Sequence, residues 1–328
     1  MMNAHNSARR AVKPSAKSSA KTSVKTARPN HFGDHLREWR QRRHLSQLDL
    51  AGDAEISARH LSFVETGRAA PSRDMVLRLA ERLDVPLRER NVLLVAAGFA
   101  PAFPNRSLDD PALSAARQAM ETVLKAHEPY PAMAVDRHWN LVLANAMIAP
   151  FLTSVAPALL APPINVMRLS FHPQGLAPLT VNLAEWCGHL LERLHRQCEA
   201  TADPALIALY EELKTYPIPA RKAPQSSGAD SLAVPFRMKM GDDVLSFIST
   251  TMVFGTPLDV TLSELALETF FPADEVTTEK MRAMASGRPR ESGDPYSLNY
   301  QRCCDSRLPL SPYHRSRWLW VPACAGTT

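Results

Sequence analysis

A short polar stretch, residues 57–72, carries side chains suited to contacts with the edges of nucleic-acid bases. Arg59 could donate a bidentate pair of hydrogen bonds to the O6 and N7 atoms of guanine. Ala58 and Ser62 are small, so a helix that carries them could lie close to a base edge. Upstream, the amide of Gln47 at a helix N-terminus could meet a phosphate. The candidate DNA contacts are Gln47, Ser57, Ala58, Arg59, Ser62, Phe63, Thr66, Arg68 and Ser72.

Residues 31–98 must form the elements that position this surface. Their apolar residues recur at helical spacing in five short runs, which predicts an all-α bundle of five helices. A turn at residues 54–57 would separate two short helices, and the second, residues 57–65, would be the recognition helix. Capping signals agree with these boundaries, and they are Ser46, Ser57, Ser72 and Gly67.

Two charged residues of the bundle favour an internal role. Arg40 lies in the first predicted helix and Glu65 ends the third, so we expect them to face each other as an ion pair. Breaking the pair would leave one charge partly buried, at a cost of about 3–5 kcal/mol. Neither residue is therefore a candidate DNA contact.

The net charge of +5 is unevenly distributed along the chain. Residues 1–30 hold 7 Lys and Arg and no acidic residue, whereas residues 31–98 hold 11 basic against 10 acidic residues. The basic balance therefore gives no argument that the bundle binds DNA. The first segment lacks large apolar groups and is expected to be disordered, either as an arm that follows phosphates or as a solvated tail.

Residues 99–111 are rich in Pro, Asn and Asp and predict a linker, after which residues 112–285 alternate between helical and strand patterns. The strand signals lie at both ends, which predicts an α+β domain around a central antiparallel sheet. Helices are expected at 112–127, 183–201, 204–214 and 275–285, and strands at 132–136, 140–144, 233–240 and 244–253, the last two joined by a hairpin turn at 241–243.

The bundle carries, within residues 33–83, Arg40, Leu45-Ser46-Gln47, Leu50-Ala51, Ile56-Ser57, Leu61-Ser62, Glu65-Thr66-Gly67-Arg68, Pro71-Ser72 and Leu79-Ala80. With these residues it resembles the xenobiotic-response-element (Cro/repressor-type) family of helix-turn-helix regulators. The resemblance implies a DNA-binding domain.

Four segments of the second half, PYPAMAVDRHWNLVLANA (129–146), NVMRLSFHPQGLAP (165–178), NLAEW (182–186) and VFGTPLDVTLSELALETFFPAD (253–274), resemble the ligand-binding domain of MmyB-like regulators. This resemblance implies a sensor similar to a PAS domain, and it implies fatty-acid-like ligands.

A pocket in such a sensor would be apolar with a few polar groups at one end. Phe151 and Phe254 are among the candidates for its wall, and Arg168 could pair with a carboxylate. Each candidate also has a structural interpretation, as a core aromatic ring or a residue that fixes a turn. The candidate ligand contacts are Trp139, Asn145, Arg168, His172 and Asn182.

Enzyme, metal and membrane functions find little support in the sequence. No phosphate-binding loop, nucleophile elbow or zinc-protease motif occurs, so we expect no catalytic residues and no cofactor. His195 and Cys198 lie one helical turn apart, but no spacing completes a tetrahedral metal site. No apolar run approaches the length of a membrane span.

The end of the chain, residues 286–328, shows no amphipathic period, and we expect an unstructured segment without function. The five cysteines do not suggest a disulfide framework, which favours the reducing cytoplasm.

The sequence thus predicts a multidomain transcription regulator without enzymatic activity. We expect it to bind a palindromic operator as a homodimer, because one short recognition helix reads few base pairs. A small apolar molecule would modulate that binding. The alternatives are an interaction module that uses the bundle to bind a protein, and an enzyme that acts on lipids or acyl groups.

Overall fold

The computed structural model describes residues 31–219 and 234–287. Two units follow each other in this part of the chain: a helical bundle, and a C-terminal domain built on a sheet. The expectations for residues 1–30 and 288–328 lie outside the described residues.

The N-terminal bundle has the five helices that the hydrophobic pattern predicts. Leu36, Leu50, Leu61 and Leu79 come from four different helices and are completely buried in one core. Ser46, Ser57 and Ser72 each accept a hydrogen bond from a backbone N–H three residues later, which confirms the predicted caps. The helices are α1 (Phe32–Arg42), α2 (Gln47–Asp53), α3 (Ala58–Glu65), α4 (Arg73–Arg82) and α5 (Leu87–Ala96).

Gly33 allows α1 to approach the end of α3 closely. A Cβ at this position would lie 2.4 Å from the backbone oxygen of Glu65. Only glycine fits here without displacing one helix from the other. Gly67, directly after the C-cap of α3, has a φ of +72°, the left-handed conformation that glycine adopts most easily.

The connection between the two units is attached to both of them. Asn91 of α5 bonds the backbone of Ala102 and Phe103 through both halves of its amide, over distances of 2.7–3.0 Å. One residue further on, the carbonyl of Pro104 accepts a hydrogen bond from the backbone N–H of Val260 in the C-terminal domain. The expected linker is therefore a fixed connection, because its backbone polar groups are paired on both sides.

The C-terminal domain has the α+β architecture that the sequence predicts. Its five strands form an antiparallel sheet in the order β2-β1-β5-β4-β3. The strands are β1 (Ala132–Val135), β2 (Leu141–Ala144), β3 (Phe236–Met240), β4 (Asp243–Val253) and β5 (Ala266–Pro272). The helices are α6 (Ser114–Ala126), α7 (Val166–Phe171), α8 (Leu183–Thr201), α9 (Pro204–Leu213), α10 (Val260–Ser263) and α11 (Glu275–Ser286).

Helices cover both faces of this sheet. On one face, Met120 and Leu124 of α6 pack against Ala132 and Ala134 of β1. On the other face, α8 is the main cover, and it shares with the sheet a core that includes Trp186, Leu190, Leu194, Met238, Leu245 and Phe247. The division of residues between two faces follows from the two-residue period of the strands.

Strand β5 differs from the sequence expectation, which placed no strand there. It lies in the middle of the sheet, and Glu268 and Thr269 within it are almost completely buried. Their polar atoms are paired: Arg193 of α8 bonds both carboxylate oxygens of Glu268, and Thr250 bonds Thr269. A strand that is buried on both faces is normally recognised by a continuous run of hydrophobic residues, and these two buried polar residues interrupt that run.

No helix in the described part of the chain is both long and apolar enough to cross a membrane.

The close approach at Gly33 predicts a large effect of a single methyl group. Gly33→Ala should destabilise the bundle by several kcal/mol, because the new Cβ meets rigid backbone rather than a side chain that can move. Gly52→Ala is the matched control, since nothing lies within 4 Å of its added Cβ, and it should stabilise α2 by about 0.5–1 kcal/mol. Urea denaturation measures both changes, and equal effects would contradict the close contact.

Candidate DNA interface and ligand cavity

Helix α3 separates a buried face from an exposed one. Leu61 and Val64 are buried in the bundle core, and the caps at both ends fix the length of the helix. The opposite face carries residues at positions i, i+1, i+4, i+5 and i+8, which lie on one side of a helix. We call this face the recognition surface, and its residues are Ala58, Arg59, Ser62, Phe63 and Thr66. Arg59 and Thr66 are exposed, whereas Ala58, Ser62 and Phe63 are half-buried.

Arg59 is the residue of this surface with the most unused hydrogen-bonding capacity. Its side chain is exposed, and it forms no hydrogen bond or ion pair with the residues that the structure describes. The guanidinium lies 5.4 Å from the ring centre of Phe63, one turn further along α3. This cation–π contact restricts Arg59 while its N–H groups remain available to an incoming acceptor.

Three other predicted DNA contacts already use part of their hydrogen-bonding capacity within the protein. The hydroxyl of Thr66 donates to the carbonyl of Ser62 at 2.7 Å, and Ser57 and Ser72 act as helix caps. Their contacts with DNA stay predictions. The side chain of Arg68, by contrast, is exposed and forms no hydrogen bond or ion pair within the described residues.

Glu65 holds three helices together below the recognition surface. Its carboxylate is completely buried and accepts hydrogen bonds from Nε and Nη2 of Arg40 in α1, at 2.7 and 3.0 Å. The amide of Gln47 in α2 donates to it as well, at 2.7 Å. Arg37 donates to the backbone oxygen of Glu65, one of the carbonyls that α3 leaves unpaired at its end. The predicted Arg40–Glu65 pair is therefore confirmed.

The same network qualifies the expectation for Gln47. The donor half of its amide bonds Glu65 rather than a neighbouring molecule. The NH2 group of this amide has two N–H donors, so a phosphate contact by Gln47 would use the second N–H or the backbone N–H at the start of α2. That contact stays a prediction.

Two opposing influences act on the ionisation of Glu65. Burial is the largest, and alone it would raise the pKa of the carboxyl group. The hydrogen bonds from Arg40 and Gln47, the positive charge of Arg40 and the neighbouring Arg37 together outweigh burial, so the pKa of Glu65 is lowered from its ordinary value. The hydrogen bond to Glu65 in turn raises the pKa of Arg40. Both groups are consequently charged in the folded protein at neutral pH.

A second candidate site is an apolar cavity inside the C-terminal domain, with about 80 Å³ of free space. Among the described residues that line it, Ser170 carries the one side-chain hydroxyl, which donates to the carbonyl of Val166 in its own helix. The remaining wall consists of hydrophobic side chains, among them Met133, Leu141, Phe151, Trp186, Phe236, Met238, Phe247 and Phe270.

The cavity is smaller than the roughly 300–1,000 Å³ of typical ligand pockets. An occupant would therefore have to displace side chains of the wall. Met133 and Met238 are well suited to this, because the unbranched thioether chain of methionine changes rotamer at low cost.

None of the five predicted ligand contacts lines this cavity, and their role as ligand contacts stays a prediction. Asn145 is buried, and its amide bonds the backbone of Leu124, Tyr130, Ala132 and Met147. Arg168 pairs with Glu212 through two hydrogen bonds of 2.7 Å, and this pairing lowers the pKa of Glu212.

The other three candidates also have internal partners. Nδ1 of His172 accepts a hydrogen bond from the backbone of Gln174, and Asn182 bonds the backbone at the start of β3. The indole N–H of Trp139 donates to Gln197. Of the predicted wall residues, Phe151 does line the cavity, whereas Phe254 lies against α6 on the other face of the sheet.

The aromatic residues of the cavity wall in β3 and β4 are those that the sequence reasoning missed. Phe236 and Met238 alternate along β3, and Leu245 and Phe247 alternate along β4. A two-residue period of large apolar side chains was the signal that could have found them.

No group of three or more metal-binding side chains occurs within residues 31–219 and 234–287.

Comparisons with known proteins match both units. A family profile described as the MmyB-like transcription regulator ligand binding domain matches residues 116–284, and a helix-turn-helix domain profile matches residues 31–93. A comparison with curated proteins finds no match.

Among solved structures, the chain is similar to the clp gene regulator ClgR from Corynebacterium glutamicum. The two are 23% identical over 30% of this chain and 90% of that one, with a TM-score of 0.18, which is too low to carry an argument.

The buried carboxylate predicts a pH-dependent loss of stability. Glu65→Ala should lower the free energy of unfolding by about 3–5 kcal/mol at neutral pH, because it leaves Arg40 without its carboxylate. Glu38→Ala is the control, since its ion pair with Arg42 is exposed, and it should cost less than about 1 kcal/mol.

The pKa of Glu65 is lower in the folded than in the unfolded chain, so its stabilisation is complete above the unfolded pKa. It disappears as the pH falls through the folded pKa. Urea denaturation between pH 7 and pH 3 should therefore show the difference between the wild type and Glu65→Ala shrinking on acidification. A difference that stays constant to the lowest pH would contradict an ionised Glu65.

Proposed function

The chain belongs to the MmyB-like transcription regulators, and from this premise we propose that it binds a two-fold operator as a homodimer under the control of a fatty-acid-like ligand. Its helix-turn-helix domain and its ligand-binding domain make it a ligand-modulated transcription regulator. The observation that carries the proposal is the exposed recognition surface of α3, with the unpaired guanidinium of Arg59, in one chain with an apolar cavity.

The proposal for DNA rests on the geometry of α3. Its recognition surface offers the half-buried small side chains of Ala58 and Ser62 beside the exposed Arg59, the combination that lets a helix enter the major groove and read a guanine. The Glu65 network holds α1, α2 and α3 in a fixed arrangement, so little freedom is lost when the surface binds. One such helix reads few base pairs, which favours a dimer on two half-sites.

The proposal for the ligand rests on the chemistry of the cavity wall. A wall that offers one internally bonded hydroxyl selects for a hydrocarbon chain rather than a polar molecule. Each methylene that leaves water contributes about 0.8 kcal/mol, which can offset the cost of displacing wall side chains. A fatty acid with its carboxylate near solvent meets these requirements, and the resemblance to MmyB-like sensors points to the same class.

Arg59→Ala should relax the sequence preference at one base position of each half-site by about 1–3 kcal/mol. Selection of fragments from a random DNA pool, at two salt concentrations, gives the preferred sequence of the wild type and the variant. Arg82→Ala, an exposed arginine at the end of α4, is the control and should leave the preference unchanged.

A recovered palindrome would support the dimeric regulator. Recovery without sequence preference at either salt concentration would contradict it and favour a bundle that binds a protein partner. Equal losses by Arg59→Ala on specific and random DNA would assign Arg59 to the phosphates instead of the bases.

Saturated fatty acids from eight to sixteen carbons should bind with affinities that rise about fourfold per methylene until the cavity is full. Ser170→Leu places a branched side chain in the free space and should weaken binding by about tenfold or more. Ser114→Leu, on the exposed start of α6, is the matched control. Isothermal titration calorimetry measures the affinities of the wild type and both variants. If Ser170→Leu bound the fatty acids as tightly as the wild type, the ligand would have to bind elsewhere.

A further inference from the structure

A cleft of about 520 Å³ separates the two domains, and one ion pair crosses it. Nε and Nη2 of Arg88 in α5 each lie 2.8 Å from a carboxylate oxygen of Glu264. Nη2 also donates to Asn105 of the linker at 3.2 Å. Both charged side chains are more than two-thirds covered, so solvent screens this pair less than an exposed one.

Strand β5 connects Glu264 to the apolar cavity. Glu264 lies two residues before the strand begins, and Phe270 of the same strand lines the cavity. Because β5 is hydrogen-bonded to β1 on one side and β4 on the other, it moves with the sheet instead of bending locally. A ligand that pushes Phe270 outward would therefore shift the position of Glu264.

Helix α8 provides a second connection that ends on the same residue. Trp186, near its start, lines the cavity. Gln197, about 16 Å further along the helix, donates to the backbone oxygen of Arg137 at 3.0 Å. Nη1 of Arg137 lies 3.7 Å from Glu264. The sheet and the helix thus both reach Glu264 from the cavity.

On the other side of the cleft, α5 belongs to the DNA-binding bundle. Leu93 and Leu94 of α5 are buried in the same core as Leu36 of α1 and Leu61 of α3. A force on Arg88 therefore acts on a rigid body that includes the recognition surface. A further ion pair of the described residues, Arg106–Asp259, attaches the linker and not a helix of the bundle.

We infer that Arg88 and Glu264 are positioning residues: their ion pair sets the orientation of the DNA-binding bundle against the ligand-binding domain and transmits occupancy of the cavity to it. This inference rests on the proposed function. It adds the route by which the cavity and the recognition surface become coupled sites, and such coupling is typically worth a factor of about 5–150 in affinity.

In the test, a larger side chain fills the cavity in place of a bound ligand. Ser170→Leu is introduced into the full chain and into four backgrounds: Arg88→Met, Glu264→Gln, both together, and Arg106→Met as the control. Hydrogen exchange of the α5 amides, Leu87–Ala96, is compared with and without the filled cavity, with α6 as an internal reference. This readout requires neither an operator nor a ligand, and intact exchange in α6 shows that each variant is folded.

Ser170→Leu should change α5 exchange in the wild type and in Arg106→Met, and should leave it unchanged in the three backgrounds without the Arg88–Glu264 pair. The double variant should behave like each single variant, because the two residues act as a unit. Arg88→Lys retains the positive charge, so Ser170→Leu should again change part of the α5 exchange in this background. If the Arg88 variants acted only through loss of side-chain bulk, this substitution would not restore the change.

A response of α5 that persists in Glu264→Gln, or that is absent from the wild type, overturns the inference. The affinity for the selected operator is also measured in the same proteins with and without dodecanoate. Dodecanoate should change the operator affinity of the wild type by at least about fivefold, and that of Glu264→Gln by less than about twofold. Failure of the wild type to select DNA or to bind dodecanoate would refute the proposed function, and the exchange result would still decide the role of the ion pair.

Discussion

The arrangement of the DNA-binding bundle depends on one buried carboxylate. Glu65 ends the recognition helix, and its two oxygens are held by a guanidinium from α1 and an amide from α2. A buried charge is tolerated only when an opposite charge and further hydrogen bonds compensate it, and Glu65 receives both only where the three helices meet in this orientation. Gly33 permits the close approach that this orientation requires. The base-reading face is consequently fixed from behind, by residues that need not touch DNA.

The bundle was predictable from the sequence because its determinants are local. Each cap and its first helical turn lie within four residues, and the apolar period of each helix is complete in two or three turns. The Arg40–Glu65 pair could be predicted too, since both helices were already placed. Strand β5 could not be recognised in this way. The buried Glu268 looks like a surface residue until Arg193, 75 residues earlier in the chain, is brought to it by the fold.

The candidate ligand cavity was harder to predict for a related reason. The polar residues that suggested a binding end are satisfied within the protein, Arg168 by Glu212 and Asn145 by backbone groups. Their partners are distant in sequence or belong to the main chain, so residue type alone does not distinguish a structural arginine from one that waits for a carboxylate. The wall residues Phe236 and Phe247 follow the strand period and were within reach of the sequence, but the choice between core and cavity depends on packing.

The small volume of the cavity has a consequence for how a regulator of this kind could respond. A spacious, rigid pocket would bind its ligand without moving, and such a ligand would have no differential affinity for two conformations. Here aromatic residues on hydrogen-bonded strands form part of the wall, so an occupant larger than the rotamer changes of Met133 and Met238 can accommodate must also displace the sheet. Glu264 lies two residues before β5 begins and bonds Arg88 of the other domain. A close-packed cavity therefore favours transmission of binding over local accommodation.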